Sequence, residues 1–187
     1  MSHLIQMETK ERNLQHSPYD VDISGNVIVG EHKHESAEAL MVDVPVEMLP
    51  EIAKELGKTY LADAHIPPGG SWPVHGILYG ISYRPMICCP VRTRVTSIWV
   101  VFLVDTGAPF TTLSFKVMQM LVGDGGMMPS ALKVNINGVT MNVRASKDHY
   151  EHIHLMGADF LSHAHALLDC DYRQSKVSIT YQEEEDI

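Results

Sequence analysis

Seven consecutive apolar residues, 98–104 (Ile-Trp-Val-Val-Phe-Leu-Val), run directly into Asp105-Thr106-Gly107-Ala108-Pro109. The run has no polar alternation, so it reads as a strand buried on both faces rather than a half-solvated one. It is also far too short to cross a bilayer. Such a strand delivers Asp105 into a tight, Gly-containing polar loop, and that placement is a physical problem. A lone carboxylate taken out of water is strongly disfavoured unless it is paired or protonated. A second carboxylate nearby solves the problem, because two such groups at close range share one proton. A dyad of that kind polarises a water with one group and donates a proton with the other, which is acid–base hydrolysis without a covalent intermediate.

The residues around this run are rich in strand formers. Residues 76–83, 85–91 and 96–104 are short apolar or β-branched runs separated by Gly, Pro and polar turns. Beyond the loop, residues 114–122 form a helix candidate stopped by Gly123. Runs 131–135 and 139–143 flank Asn137-Gly138, a hairpin signal because both turn residues tolerate positive φ. A strand at 153–156 leads to a short helix around Phe160, and two more strands, 166–170 and 177–181, close the pattern. Upstream, residues 21–29 read as a short hairpin. Residues 46–57 read as a helix with Met48, Leu49, Ile52, Ala53 and Leu56 on one face, Pro50 in the first turn and Gly57 at the exit. The break Ile66-Pro67-Pro68-Gly69-Gly70 marks a boundary.

Composition narrows the function classes. The chain has 187 residues, 45% of them apolar and 20% charged, which is globular and not disordered. Its formal net charge of −9 argues against nucleic-acid binding, which needs clustered Lys and Arg. Part of that charge sits in a tail, Glu183-Glu184-Glu185-Asp186, that reads as a solvated end. No export signal or membrane span is visible. The three cysteines, with Cys88 and Cys89 adjacent, do not make a disulfide framework, so a cytoplasmic location is expected.

A second motif gives the loop its meaning. Some fifty residues after Asp105 comes Leu155-Met156-Gly157-Ala158-Asp159-Phe160-Leu161, an apolar-apolar-Gly strand followed by a short helix. The two motifs, in this order, resemble those of the retropepsin-like aspartic proteases over about residues 72–181. The resemblance is to the single-domain branch (retroviral, retroelement and Ddi1-like), because only one such loop is present. It implies a mainly β, retropepsin-like acid protease barrel with two short helices, homodimeric, with an N-terminal extension at residues 1–70 and the protease domain at 71–187. It implies an aspartic endopeptidase acting on a peptide or protein substrate. Asp105 of each protomer would supply the dyad, Thr106 would brace the two loops, Gly107 would let the backbone approach substrate and water, and Ala108 would complete the loop's support. Leu155, Met156 and Gly157 would form the strand beneath the loop. No cofactor and no metal is implied.

The resemblance has a gap where the family folds a hairpin flap over substrate. Residues 123–130 are all that separate the helix from the Asn137-Gly138 hairpin. Either that hairpin is the flap or the flap is missing, and the alternative function is a non-catalytic dimerisation or peptide-binding module on the same scaffold. Other features have plainer readings. His32, His34, His149, His152, His154, His163 and His165 lack a completing ligand set and read as ordinary surface or partly buried histidines. Cys88 and Cys89 read as strand interior, Trp99 as core, the methionines as core filling and Asp159 as a helix cap.

Overall fold

Residues 98–104 do lie in a strand buried on both faces, and two separate cores account for that burial. A computed structural model of the chain describes residues 44–65, 67–123, 125–147 and 151–181, all within the unit Ala37–Ile187. The expected hairpin at 21–29, the acidic tail, His32, His34 and His149 lie outside the described residues. The described chain is mainly β, with one large mixed sheet and few short helices. Strand β1 is Val74–Tyr79, β2 Arg84–Arg92, β3 Ser97–Val104, β4 Thr112–Leu113, β5 Leu132–Ile136, β6 Val139–Ala145, β7 Leu155–Met156, β8 Ala166–Asp171 and β9 Lys176–Tyr181. Helix α1 is Leu49–Glu55, α2 Phe115–Val122 and α3 Ala158–His163.

The strand order is β3-β7-β4-β6-β5-β2-β1-β9-β8, and β2 also pairs with β3. Six strands therefore close a circuit of pairings, β2-β3-β7-β4-β6-β5, with β1, β9 and β8 continuing outward from β2. The pairs β3–β7 and β4–β6 are parallel and the rest antiparallel.

Alternate side chains of β3 enter the two different cores. Ile98, Val100, Phe102 and Val104 join Ile87, Val91, Val134, Ile136, Met156 and the α2 residues Val117, Met118 and Leu121. Val101 and Leu103 face the other way, onto Met86, Ile153, Leu155 and the α1 residues Leu49, Ile52 and Ala53. Strand β2 divides in the same manner, with Cys89 in the first core and Cys88 in the second. Fully burying a Leu, Ile, Val or Phe side chain stabilises by about 1.5–3 kcal/mol, so β3 is fixed from both sides before any polar contact is counted.

Local signals explain the helices. In α1, Leu49, Ile52 and Ala53 are buried at i, i+3 and i+4. The helix stops at Gly57 (φ +69), where Gly57 N–H donates to the Lys54 carbonyl and Lys58 N–H to the Ala53 carbonyl, a Schellman closure. In α2, the Ser114 hydroxyl accepts from Val117 N–H, and Gly123 (φ +86) follows the last turn.

The Asn137-Gly138 hairpin belongs to the body of the sheet. β5 and β6 pair along their length, and β5 meets β2 through Val91↔Ile136 and Arg92↔Asn135. The turn has φ +45 at Asn137 and +98 at Gly138, as a two-residue I′ hairpin requires. Asn137 is 1% exposed, donates from Nδ2 to the Ser71 carbonyl and accepts Ser71 N–H on Oδ1. These bonds tie the turn to the body of the sheet.

Candidate active site

Asp105 follows the last residue of β3, and its placement comes from the strand beside it. β3 and β7 run parallel with Leu103↔Leu155 and Val104↔Met156 in register. Leu103 N–H donates to the His154 carbonyl (2.9 Å) and Asp105 N–H to the Met156 carbonyl (3.0 Å). The expected motif residues therefore meet, with Leu155 and Met156 directly beside the residues that lead into the loop. Gly157 lies where the loop returns. A Cβ there would sit 2.6 Å from the Phe110 carbonyl carbon and 2.8 Å from the Ala108 oxygen. Ala158 N–H donates to that same Ala108 oxygen at 2.8 Å. Only glycine permits this approach, which is the physical reason for the apolar-apolar-Gly pattern.

The loop itself is short and partly open. Gly107 N–H donates to Asp105 Oδ1 (2.9 Å), and Ala108 N–H donates to the Asp105 carbonyl (3.1 Å). Asp105 is half-buried, while Thr106 and Gly107 are exposed. Among the described residues, neither Asp105 Oδ2 nor the Thr106 hydroxyl has a hydrogen-bond partner. Within one chain, then, the carboxylate is not buried to the degree that the apolar approach of β3 implies. One carboxylate can accept a hydrogen bond from water. Sharing a proton needs a second one facing it, and the loop is accessible to provide that contact.

Two residues that sequence reasoning did not place at the site hold it together. Asp159 Oδ1 accepts from Thr111 N–H (2.8 Å), the Thr111 hydroxyl (2.6 Å) and Phe160 N–H (2.7 Å). The Thr111 oxygen accepts in turn from Gly157 N–H at 3.1 Å. Asp159 is therefore a cross-brace between the returning loop and the second motif. The expected helix cap is instead the position of Gly157, which caps α3 with no side chain. The available signal was a hydroxyl six residues after Asp105 and a carboxylate two residues after Gly157.

Behind β7 lies His154, 0% exposed. Its Nδ1 accepts Ser114 N–H (3.0 Å), so the neutral ring carries its proton on Nε2 and donates it to the Tyr60 hydroxyl at 2.7 Å. Burial depresses the His154 pKa to about 3 and raises that of Tyr60 above its ordinary value, so both stay neutral. His152 is exposed and pairs with Glu151 at 2.9 Å, so the two histidines do not converge. His163 Nδ1 bonds the Asp159 carbonyl oxygen at 2.7 Å. Cys88 and Cys89 are buried thiols whose pKa values burial raises, that of Cys88 to about 12. Trp99 is only partly buried, with Lys58 Nζ 4.3 Å over its ring. Of the methionines near α2, Met118 is core but Met120 and Met127 are exposed.

No protein-family model matches the chain, and no curated protein does. Among solved structures, the retroviral protease-like domain of Ddi1 from Leishmania major is similar at 17% identity and a TM-score of 0.30. The match covers 55% of this chain and 96% of that one.

Proposed function

We propose that this chain is one half of a retropepsin-like aspartic endopeptidase. Asp105 from two protomers forms the dyad that activates water against a peptide bond. The observation that carries this reading is the Asp105 loop: a carboxylate fixed at Oδ1 by Gly107 N–H, open at Oδ2, and supported from behind by the second motif. In the proposed dimer the two carboxylates share one proton. Thr106, exposed beside Asp105, is the group that would bond across the twofold axis. The reading places the enzyme in the cytoplasm with free thiols, acting on protein substrates without a metal or cofactor.

One observation favours a second reading, a non-catalytic dimerisation or peptide-binding module. The hairpin that could serve as a flap is committed to the sheet, and among the described residues the short connection between α2 and β5 is what remains near it to cover a substrate. A site without a cover stays wet and clamps substrate weakly. The deciding experiment is digestion of a mixed peptide library between about pH 4 and 7, with Asp105→Asn and a transition-state-mimicking inhibitor run in parallel. Sedimentation establishes the oligomeric state of the same sample. Cleavage lost to both interventions supports the enzyme. A confirmed dimer that cleaves nothing supports the module.

A further inference from the structure

We propose that the groove between β5 and the β2–β3 turn docks an extended acidic peptide segment of a partner protein, by strand addition to β5. β2 and β5 pair only through Val91↔Ile136 and Arg92↔Asn135, after which β2 turns away through residues 93–96. β5 continues to Leu132, paired with β6 on one side only. Among the described residues, no strand meets the other edge of Leu132, Lys133 and Val134. Such an edge offers backbone N–H and C=O groups that an extended chain can pair with. Beside it lies a groove of about 610 Å³ walled by Val95, Leu121, Val122 and Met127. Val95 and Met127 are 69% and 91% exposed, so apolar surface stands uncovered there.

Charge identifies the occupant. Arg92, Arg94 and Lys133 line the groove, and no acidic side chain lines it among the described residues, on a chain of net charge −9. Lys133 is exposed, whereas Val134 is buried. Arg92 lies opposite Asn135, two residues from Lys133, and is also exposed. Arg92 and Lys133 therefore share the outer face of the sheet. A strand laid against β5 would direct alternate side chains toward these two cations and into the apolar wall. The matching segment alternates acidic and apolar residues. This groove adjoins the start of β3 and Asp105 follows its end, eight residues away, or about 25 Å at strand rise. Docking there is separate from peptide hydrolysis and stands or falls without it.

The test is fluorescence anisotropy of the full chain with a dye-labelled acetyl-(Val-Glu)4 amide. Saturable binding is expected, weakened about tenfold or more by combined Arg92→Glu and Lys133→Glu. If that pair lowers the melting temperature, Arg94→Ala with Lys133→Ala is read the same way. Two further probes carry N-methyl groups on either the Val or the Glu amides, and strand addition predicts that only one set abolishes binding. The proposal is overturned by an absence of saturable binding, by indifference to the charge variants, or by equal effects of the two N-methyl sets. Equal competition by inorganic polyphosphate also overturns it, because the groove would then be a generic anion patch.

Discussion

The 137–138 turn and the 105–108 loop both contain glycine, both follow a strand, and differ in what their polar groups meet. At the turn, Asn137 N–H donates to the Pro90 carbonyl, its side chain closes two bonds with the Ser71 backbone, and Gly138 N–H donates to Asn135 Oδ1. At the loop, Asp105 N–H donates to the Met156 carbonyl and the Ala108 carbonyl accepts Ala158 N–H, while among the described residues Asp105 Oδ2 and the hydroxyl of the exposed Thr106 meet no partner. Polar groups satisfied within the chain stabilise the fold. Accessible polar groups left without a partner on a rigid support are available to something else. The difference separates a structural turn from a chemical one, and glycine content does not.

The largest expected effect tests the chemical half of that contrast. Asparagine can still accept Gly107 N–H on its side-chain oxygen, so Asp105→Asn should keep the thermal unfolding temperature. Peptide cleavage should fall about 10³-fold or more, since the proton-sharing carboxylate is lost. Residual cleavage within tenfold of wild type would remove Asp105 from the chemistry. The structural half is tested next. A Cβ at residue 138 would lie 2.5 Å from both the carbonyl carbon and oxygen of Gly69, at φ +98. Gly138→Val should destabilise by about 3 kcal/mol in urea unfolding. By contrast, Gly107→Ala meets only Asp105 Oδ1, at 3.2 Å, and should cost less than about 1 kcal/mol. Equal costs at the two glycines would erase the comparison.

A smaller effect probes the join between loop and second motif. Thr111→Val removes the hydroxyl that bonds Asp159 and accepts Gly157 N–H. Leaving these groups unsatisfied should cost about 2 kcal/mol. Because Thr111 touches no reacting atom, Thr111→Ser should restore stability and any cleavage together. If Thr111→Val unfolds like wild type, the brace does not hold the loop.

How far these contrasts could be seen in the sequence depends on range. The strand 98–104 was legible because two-sided burial leaves an unbroken apolar run. The α1 helix was legible from i, i+3, i+4 spacing and its terminal glycine, α2 from its stop at Gly123, and Asn137-Gly138 from its turn chemistry. The meeting of Asp105 with Met156 and Gly157 came from resemblance, since nothing local in either motif indicates the other. Thr112–Leu113 is too short to show a period, so β4 escaped notice. The Asp159–Thr111 bond spans 48 residues and the Tyr60–His154 bond 94, and no pattern within a window encodes such pairs. Whether the hairpin is a flap was undecidable because its anchor, Ser71, lies 66 residues away.

His154 provides the finest test, because it supports the β3–β7 join behind the loop and takes no part in the 137–138 turn. The groups facing it are Tyr60 on Nε2, Ser114 N–H on Nδ1 and the edge of Phe102. A protonated ring would point an N–H at the Ser114 N–H, and burial already holds its pKa near 3, below the usual 6.5. The unfolded chain takes up a proton below about pH 6.5 that the folded chain refuses. The contribution of His154 to stability is therefore complete above pH 6.5 and is lost as pH falls toward 3. Its slope approaches about 1.4 kcal/mol per pH unit. Urea unfolding between pH 7 and 4 should be shallower by up to one proton in His154→Leu than in wild type. Parallel slopes would mean that the ring titrates normally in the fold.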